Sequence, residues 1–171
     1  GGTEFIVPMG ERADPQTVQF GNHVDTEPVG VLAWEATRIA SGIPRIGLDT
    51  DARTIPNEIG LYATHLDKGC YRGQETVARV HNLGRPPRRL TMLMLDGSDA
   101  ELPDPGASVI LEGRKVGQLG GVAMHHELGP VGLALLKRNV SVDSVLTVDG
   151  VAASQTILVD PEVGLHVRPQ L

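Results

Sequence analysis

Residues 108–124 read SVILEGRKVGQLGGVAM, and their pattern predicts two short strands joined by a tight turn at Glu112-Gly113-Arg114. Four more short apolar segments are separated by turn residues: Leu90–Leu95, Val131–Leu136, Val145–Val148 and Thr156–Val159. Six short strands at such close spacing are typical of a small antiparallel barrel. We therefore predict a six-stranded antiparallel β-barrel over residues 87–171.

The chain before the barrel has helical periodicity instead. A helix is predicted from about Glu27 to Ala40, and a second over residues 74–83, where Gly84 follows the last apolar position. Helices followed by a run of strands indicate an α+β fold. We place the domain boundary between residues 86 and 87, so that residues 1–86 form an α/β region and residues 87–171 form the barrel.

Composition limits the classes of protein that fit. Of the 171 residues, 40% are hydrophobic and 3% aromatic, so the core must consist of Val, Leu, Ile and Ala. The formal charge of −6 disfavours a broad nucleic-acid surface, and we expect no direct contact with nucleic acid. One cysteine, Cys70, favours a reducing, cytoplasmic setting. No apolar run approaches the roughly 20 residues that span a membrane, so no membrane association is expected. Because the chain opens Gly1-Gly2-Thr3 without Met, we expect a fragment that lacks an N-terminal half.

The segment that carries the most chemistry is residues 68–75, KGCYRGQE. Its glycines let the backbone approach a ligand closely, and free amides of a following helix would favour an anion. Lys68 adds a full positive charge, and both features would favour the thiolate of Cys70. This predicts an anion-binding pocket with a reactive thiol. A solvated Lys68 beside a small, buried Cys70 is the alternative, and the residues alone leave both open.

Residues 68–75 resemble the K-G-C-Y-x-G-Q-E signature of the YgfZ-type folate-binding proteins, with Arg72 in the variable place. This family is a branch of the superfamily of the glycine-cleavage T-protein, an aminomethyltransferase. Further similar segments occur in the family's order: Ile43-Pro44, Thr54-Ile55-Pro56 with Glu58, and Arg88-Arg89-Leu90.

The resemblance implies a partial ferredoxin-like α/β module followed by the C-terminal barrel, with tetrahydrofolate as the cofactor. It implies an accessory function in iron–sulfur cluster assembly or repair, in support of a tRNA-modifying iron–sulfur enzyme. The expected partner is an iron–sulfur client or assembly protein. The resemblance assigns the catalytic role to Cys70, as the functional thiol. The resemblance assigns folate binding to seven residues: Lys68, Gly69, Tyr71, Gly73, Gln74, Glu75 and Arg38.

One departure from the family pattern affects the folate contact. Ala40 stands where the family has a carboxylate that could bind the amide edge of the pterin, so we expect Glu35 or Glu58 to substitute. For Arg38, a surface salt bridge is the alternative to folate binding. The basic cluster of Arg79, Arg85, Arg88 and Arg89 is a candidate partner for the glutamate tail of folate, and a solvated linker is its alternative.

There are three alternatives to the folate-binding accessory function. The first is a folate-dependent aminomethyltransferase, and the second is a structural barrel that docks a partner without its own ligand. The third is a metal site at His125-His126-Glu127, which is disfavoured because adjacent strand side chains point to opposite faces. We expect no metal ligands in this chain, and whether it is an enzyme stays open.

Overall fold

The computed structural model describes residues 30–61, 69–97 and 101–161, with the backbone alone at 79 and 81–83. The chain divides into two compact units, Gly1–Val31 and Leu32–Leu171. Apart from Gly30 and Val31, the description below concerns the second unit. The expected helix start near Glu27 lies outside the described residues.

Two α-helices and one 3-10 helix precede the barrel. Helix α1 spans Val31–Ala40, the 3-10 helix spans Pro56–Ile59, and helix α2 spans Gln74–Leu83. Both predicted helices are confirmed where they fall on described residues. Within residues 30–61 and 69–87 there is no strand. No helix in the described part of the chain is long and apolar enough to cross a membrane.

Six antiparallel strands form a closed barrel in the order β1-β4-β3-β2-β5-β6. Their bounds are β1 Arg88–Leu95, β2 Ser108–Leu111, β3 Arg114–His125, β4 Gly129–Lys137, β5 Leu146–Val148 and β6 Val151–Ile157. The predicted α+β class with a small six-stranded antiparallel barrel is confirmed. The boundary at residue 87 stays a prediction.

Two hairpins turn through two-residue loops with positive φ. Glu112 and Gly113 join β2 to β3 with φ of 49° and 75°, at the place predicted for a turn. Asp149 and Gly150 join β5 to β6 with φ of 49° and 89°. Asp-Gly favours such a tight hairpin. The last strand therefore starts at Val151 and ends at Ile157, and the predicted bounds Thr156–Val159 are wrong.

Both faces of strand β1 are buried, because the barrel has one apolar cluster inside and a second on its outer wall. Leu93 and Leu95 belong to the inner cluster with residues of the other strands. Leu90 and Met92, on the opposite face, pack in the outer cluster. The outer cluster includes Ala36 and Ile39 of α1, Ile59 of the 3-10 helix, and Val159. Helix α1 and the 3-10 helix therefore cover one side of the barrel.

Candidate functional site

The Cys70 loop, residues 69–73, leads directly into helix α2. Gly69 and Cys70 are exposed, Tyr71 is half-buried, and Gly73 is the N-terminal cap of α2. Gly73 has a φ of 84°, a left-handed conformation that suits glycine. A side chain at either glycine would meet nothing within 4 Å. The thiol therefore stands at an open, accessible bend before the helix.

The free amides expected at the start of α2 are only partly present. The Gln74 amide donates to the Tyr71 carbonyl at 3.2 Å, and the Thr76 amide donates to the Gly73 carbonyl at 3.1 Å. The expectation of bare first-turn amides is thus wrong at these two positions, because the loop closes into a tight turn that supplies carbonyl acceptors. An anion at this loop would need the Lys68 ammonium more than the helix end.

The exposure of Cys70 disagrees with the alternative in which this residue is a small buried hydrophobe. Lys68 lies outside the described residues, so its place beside the thiol stays a prediction. Gln74 is partly buried and Glu75 is exposed in the first turn of α2. The folate-binding roles assigned to this segment also stay predictions.

Arg38 is buried, not on the surface, with 4% of its area exposed. Its guanidinium donates to Asp49 Oδ2 at 2.8 Å, to Glu35 Oε2 at 2.6 Å and to the carbonyl of Ile43 at 2.6 Å. The alternative of a salt bridge is therefore confirmed, whereas its expected position on the surface is wrong. Because these acceptors occupy the guanidinium, Arg38 fits a positioning role better than direct ligand contact.

Asp49 joins this arginine to the barrel, a connection that the sequence analysis missed. Its Oδ1 accepts a hydrogen bond from the Gly121 amide of β3 at 2.6 Å, and its Oδ2 accepts one from the Arg45 amide at 2.7 Å. We call Glu35, Arg38, Asp49 and Gly121 the Asp49 clamp. The available signal was Gly120-Gly121 in a strand, since glycine there often marks a close backbone approach.

Strand β3 is adapted to receive this carboxylate. The register between β3 and β4 shifts between Leu119 and Val122, which indicates a bulge. A Cβ at Gly120 would lie 2.8 Å from the Cα of Asp49 and would clash with its Oδ1. A Cβ at Gly121 would lie 2.5 Å from Arg38 Nη2. The two glycines therefore leave the space that the Asp49 clamp occupies.

A second polar cluster, the Arg88 clamp, consists of Asp51, Thr54, Glu58 and Arg88. Arg88 donates to both carboxylate oxygens of Asp51, at 2.6 and 3.1 Å, and to both oxygens of the buried Glu58, at 2.9 Å each. The hydrogen bond from Arg88 holds the pKa of Asp51 well below its ordinary value. The hydrogen bonds that Arg88 donates to Glu58 and Asp51 in turn raise the pKa of Arg88.

The two carboxylates expected to replace the family's pterin ligand are therefore engaged. Glu58 binds Arg88 and accepts the amide of Ile55. Burial by itself raises the pKa of Glu35, but hydrogen bonds from Arg38 and Arg45 outweigh it, so the pKa is lowered. Neither carboxylate is available to a pterin while these bonds persist.

The predicted basic cluster does not hold together, because neighbouring strand residues point to opposite faces. Arg88 enters the Arg88 clamp, whereas Arg89 is 1% exposed and donates to Gln155 Oε1 and the Val140 carbonyl. Burial, with a smaller contribution from Arg138, lowers the pKa of Arg89. These two arginines are thus unavailable as a joint surface for a glutamate tail.

At the predicted alternative metal site, His125 Nδ1 accepts the amides of Glu127 and Leu128, each at 3.2 Å. That ring nitrogen is used in the β3–β4 turn. Among the described residues no group of three or more His, Cys, Asp or Glu could hold a metal ion.

A cleft of about 340 Å³ opens where residues 48–51 cross strands β3 and β4. Its apolar lining includes Leu48 and Leu135. Its polar lining includes Asp49 of the Asp49 clamp and Asp51 and Arg88 of the Arg88 clamp. Lys115 and Lys137 also line it. Cavities of this volume accept small organic ligands.

Comparison with known proteins supports the assignment of the barrel. Residues 88–158 match the model of the family described as the CAF17 C-terminal β-barrel domain. This range runs from the first residue of β1 to one residue past β6, so it covers the whole closed barrel.

Among curated relatives, a protein of Arabidopsis thaliana named as a chloroplastic candidate transferase is 37% identical over 93 residues, which are 54% of this chain and 21% of the relative. The tRNA-modifying protein YgfZ of Colwellia psychrerythraea is 36% identical over 80 residues, 45% of this chain and 24% of the relative. YgfZ of Escherichia coli is 37% identical over 82 residues, which are 46% of this chain and 24% of the relative. The chain is therefore similar to proteins of the YgfZ type, and the predicted resemblance to that family is confirmed. The chain spans about a quarter of the length of these YgfZ relatives.

Proposed function

We propose that this YgfZ-type protein is an accessory factor in tRNA modification that binds tetrahydrofolate and acts in iron–sulfur cluster assembly or repair. The observation that carries the proposal is the exposed Cys70 in the open loop before α2, inside the segment that resembles the YgfZ signature. The relatives named tRNA-modifying protein YgfZ support the connection with tRNA modification.

Cys70 acts together with a partner protein in this proposal. Clusters are usually held by four thiolates, and this chain has one cysteine. An exposed thiol on a glycine-flanked bend can approach a cluster or a cysteine of an iron–sulfur client without steric obstruction. A single free thiol is in keeping with a reducing compartment, and we place the protein in the cytoplasm.

Tetrahydrofolate fits the described residues in one respect and not in another. The open space at Gly69 and Gly73 fits a ligand that approaches the loop backbone closely. Neither Glu35 nor Glu58 offers a carboxylate to the amide edge of the pterin, since both carboxylates bind arginines. In our proposal Lys68 and the loop hold the anionic part of the folate, while the pterin contacts come from elsewhere in the full-length protein.

The direct test is equilibrium binding of tetrahydrofolate to the full-length protein and its variants. We expect Lys68→Ala to weaken binding about tenfold, since a charge-assisted hydrogen bond is lost. We expect Cys70→Ala to retain binding but to lose support of tRNA modification in cells that lack the native protein. Arg72→Ala, at the variable position of the signature, is the control and should change neither. Unchanged binding in Lys68→Ala would remove this loop from the folate site.

Aminomethyl transfer is the second candidate, favoured by the name of the Arabidopsis relative. It predicts formation of methylene-tetrahydrofolate from an aminomethyl donor by the full-length protein. Absence of that product, with folate binding intact, would leave the accessory function alone.

A further inference from the structure

The cleft between residues 48–51 and the barrel combines an apolar floor with charged walls. Leu135, which faces outward from β4, and the half-buried Leu48 of the overlying loop form its floor. Thr50 and Gln118 line its sides. The volume of about 340 Å³ would hold a ring and a short substituent.

The acidic groups of the cleft already have partners. Asp49 has a fully buried carboxylate whose two oxygens accept from Gly121, Arg38 and Arg45. Asp51 is bound through both oxygens by Arg88. Neither carboxylate therefore offers an open acceptor toward a cation in the cleft.

The lysines of the cleft, unlike its carboxylates, keep hydrogen-bonding capacity for a ligand. Lys137 Nζ donates to the backbone carbonyl of Lys115 at 3.1 Å, which holds the ends of β3 and β4 together. Within residues 30–61, 69–97 and 101–161, no carboxylate forms a salt bridge with either lysine. Two ammonium groups that have no acidic partner among the described residues stand beside the apolar floor, and each has donors to spare.

We propose that this cleft binds a small organic anion: its apolar ring packs against Leu48 and Leu135, and its carboxylate or phosphate accepts hydrogen bonds from Lys115 and Lys137. This site is distinct from the Cys70 loop and does not depend on the function proposed above.

The two clamps make the cleft a preformed site. The Asp49 clamp fixes one side of the overlying loop to β3, and the Arg88 clamp fixes the other side to β1. A ligand that enters does not have to order this loop, so the entropic cost of binding is reduced.

The experiment uses the 171-residue chain at low salt and three probes with an aromatic ring. Benzoylglycine carries a carboxylate, phenyl phosphate carries a phosphate, and 4-aminobenzamide carries no charge. We expect at least one anion to bind more tightly than the neutral amide, with Kd measured by calorimetry and the site located by NMR shifts at β3 and β4. Preference for one anion assigns the natural ligand to carboxylates or to phosphate esters.

Variants separate the lysines from general charge. Lys115→Gln and Lys137→Gln should each weaken binding of the preferred anion about threefold to fivefold, the range for an exposed ion pair. Arg114→Gln removes an exposed charge next to Lys115 but outside the cleft lining and should leave Kd unchanged. Gln118→Trp should block the cleft and abolish binding of the anion. Absence of binding by both anions, or an equal Kd in the two lysine variants and the wild type, would overturn the proposal.

Discussion

The inside of the barrel and the outer contact with residues 31–61 are stabilised in different ways. Inside, the core cluster is apolar, with Leu93, Val109, Leu136 and Val148 fully buried, and the buried Arg89 adds hydrogen bonds to Gln155 and the Val140 carbonyl at one end. On the outside, an apolar cluster is accompanied by the Asp49 clamp and the Arg88 clamp, in which every carboxylate has a named donor.

The difference determines what each region tolerates. Apolar burial is non-directional, so the inside of the barrel accepts substitutions that conserve volume. A buried ion pair depends on the geometry of its hydrogen bonds, and loss of one partner leaves a desolvated charge. Isosteric substitutions should therefore lower the free energy of unfolding more in the outer contact than inside the barrel.

The largest effect within the outer contact is expected for Asp49→Asn. The variant keeps the shape but places an amide NH₂ against the donors of Arg38 and Arg45. We expect a loss of about 3 kcal/mol in the free energy of unfolding, the low end for a broken buried pair, because Glu35 still neutralises Arg38. Denaturant unfolding measures the loss, and hydrogen exchange of the Gly121 amide shows whether the clamp has opened.

Leu93→Ala is the comparison inside the barrel. It should cost about 2–5 kcal/mol through the cavity it leaves, yet it should not selectively expose the Gly121 amide. Equal selective exposure of that amide in both variants would mean that the clamp and the barrel core do not act as separate regions.

A smaller effect is expected for Gly120→Ala, which tests the fit between strand and clamp. The added Cβ would lie 2.8 Å from the Cα of Asp49, so the loop must shift by part of an ångström. We expect a loss of about 1–3 kcal/mol, as for overpacking, measured by denaturant unfolding. Gly97→Ala is the control, because its Cβ would make an ordinary 3.4 Å contact with Pro130. A Gly120→Ala variant as stable as wild type would contradict the close approach.

The sequence predicted the barrel well because its signals are local. Strand periodicity and the Glu112-Gly113 turn are contained in a few neighbouring residues. The last strand was misplaced because Asp149-Gly150, an equally clear hairpin signal, was not used. A turn two residues long fixes the start of the next strand, so this error moved the predicted start by five residues.

The clamps were not predicted, because their partners are far apart in the chain. Asp49 and Gly121 are 72 residues apart, and Asp51 and Arg88 are 37 apart. No local pattern connects Asp49 or Asp51 with these partners, and for Arg38 the sequence predicted a folate contact or a surface salt bridge, not a buried one. The sequence did identify the Cys70 loop, since its glycines and the helix start are adjacent in the chain.

The smallest effect concerns the exposed side of the outer contact, where Asp51 binds Arg88. Because this bond lowers the pKa of Asp51 below its unfolded value of about 4, it stabilises fully above that pH and is lost as pH falls through the folded pKa. Asp51→Asn should therefore be less stable than wild type at pH 7, by less than about 1 kcal/mol because the Asp51 side chain is 52% exposed.

Acidification should remove this difference. Denaturant unfolding at several pH values from 7 to 3 should show the stability of wild type and of Asp51→Asn converging below about pH 4. Asp143→Asn, at an exposed aspartate without a salt bridge in the described part of the chain, should show no such convergence. If the gap between wild type and Asp51→Asn stays constant down to pH 3, the charge of Asp51 does not hold the loop. The Arg88 clamp would then depend on Glu58 alone, and the outer contact would be closer to the barrel interior in its response to pH.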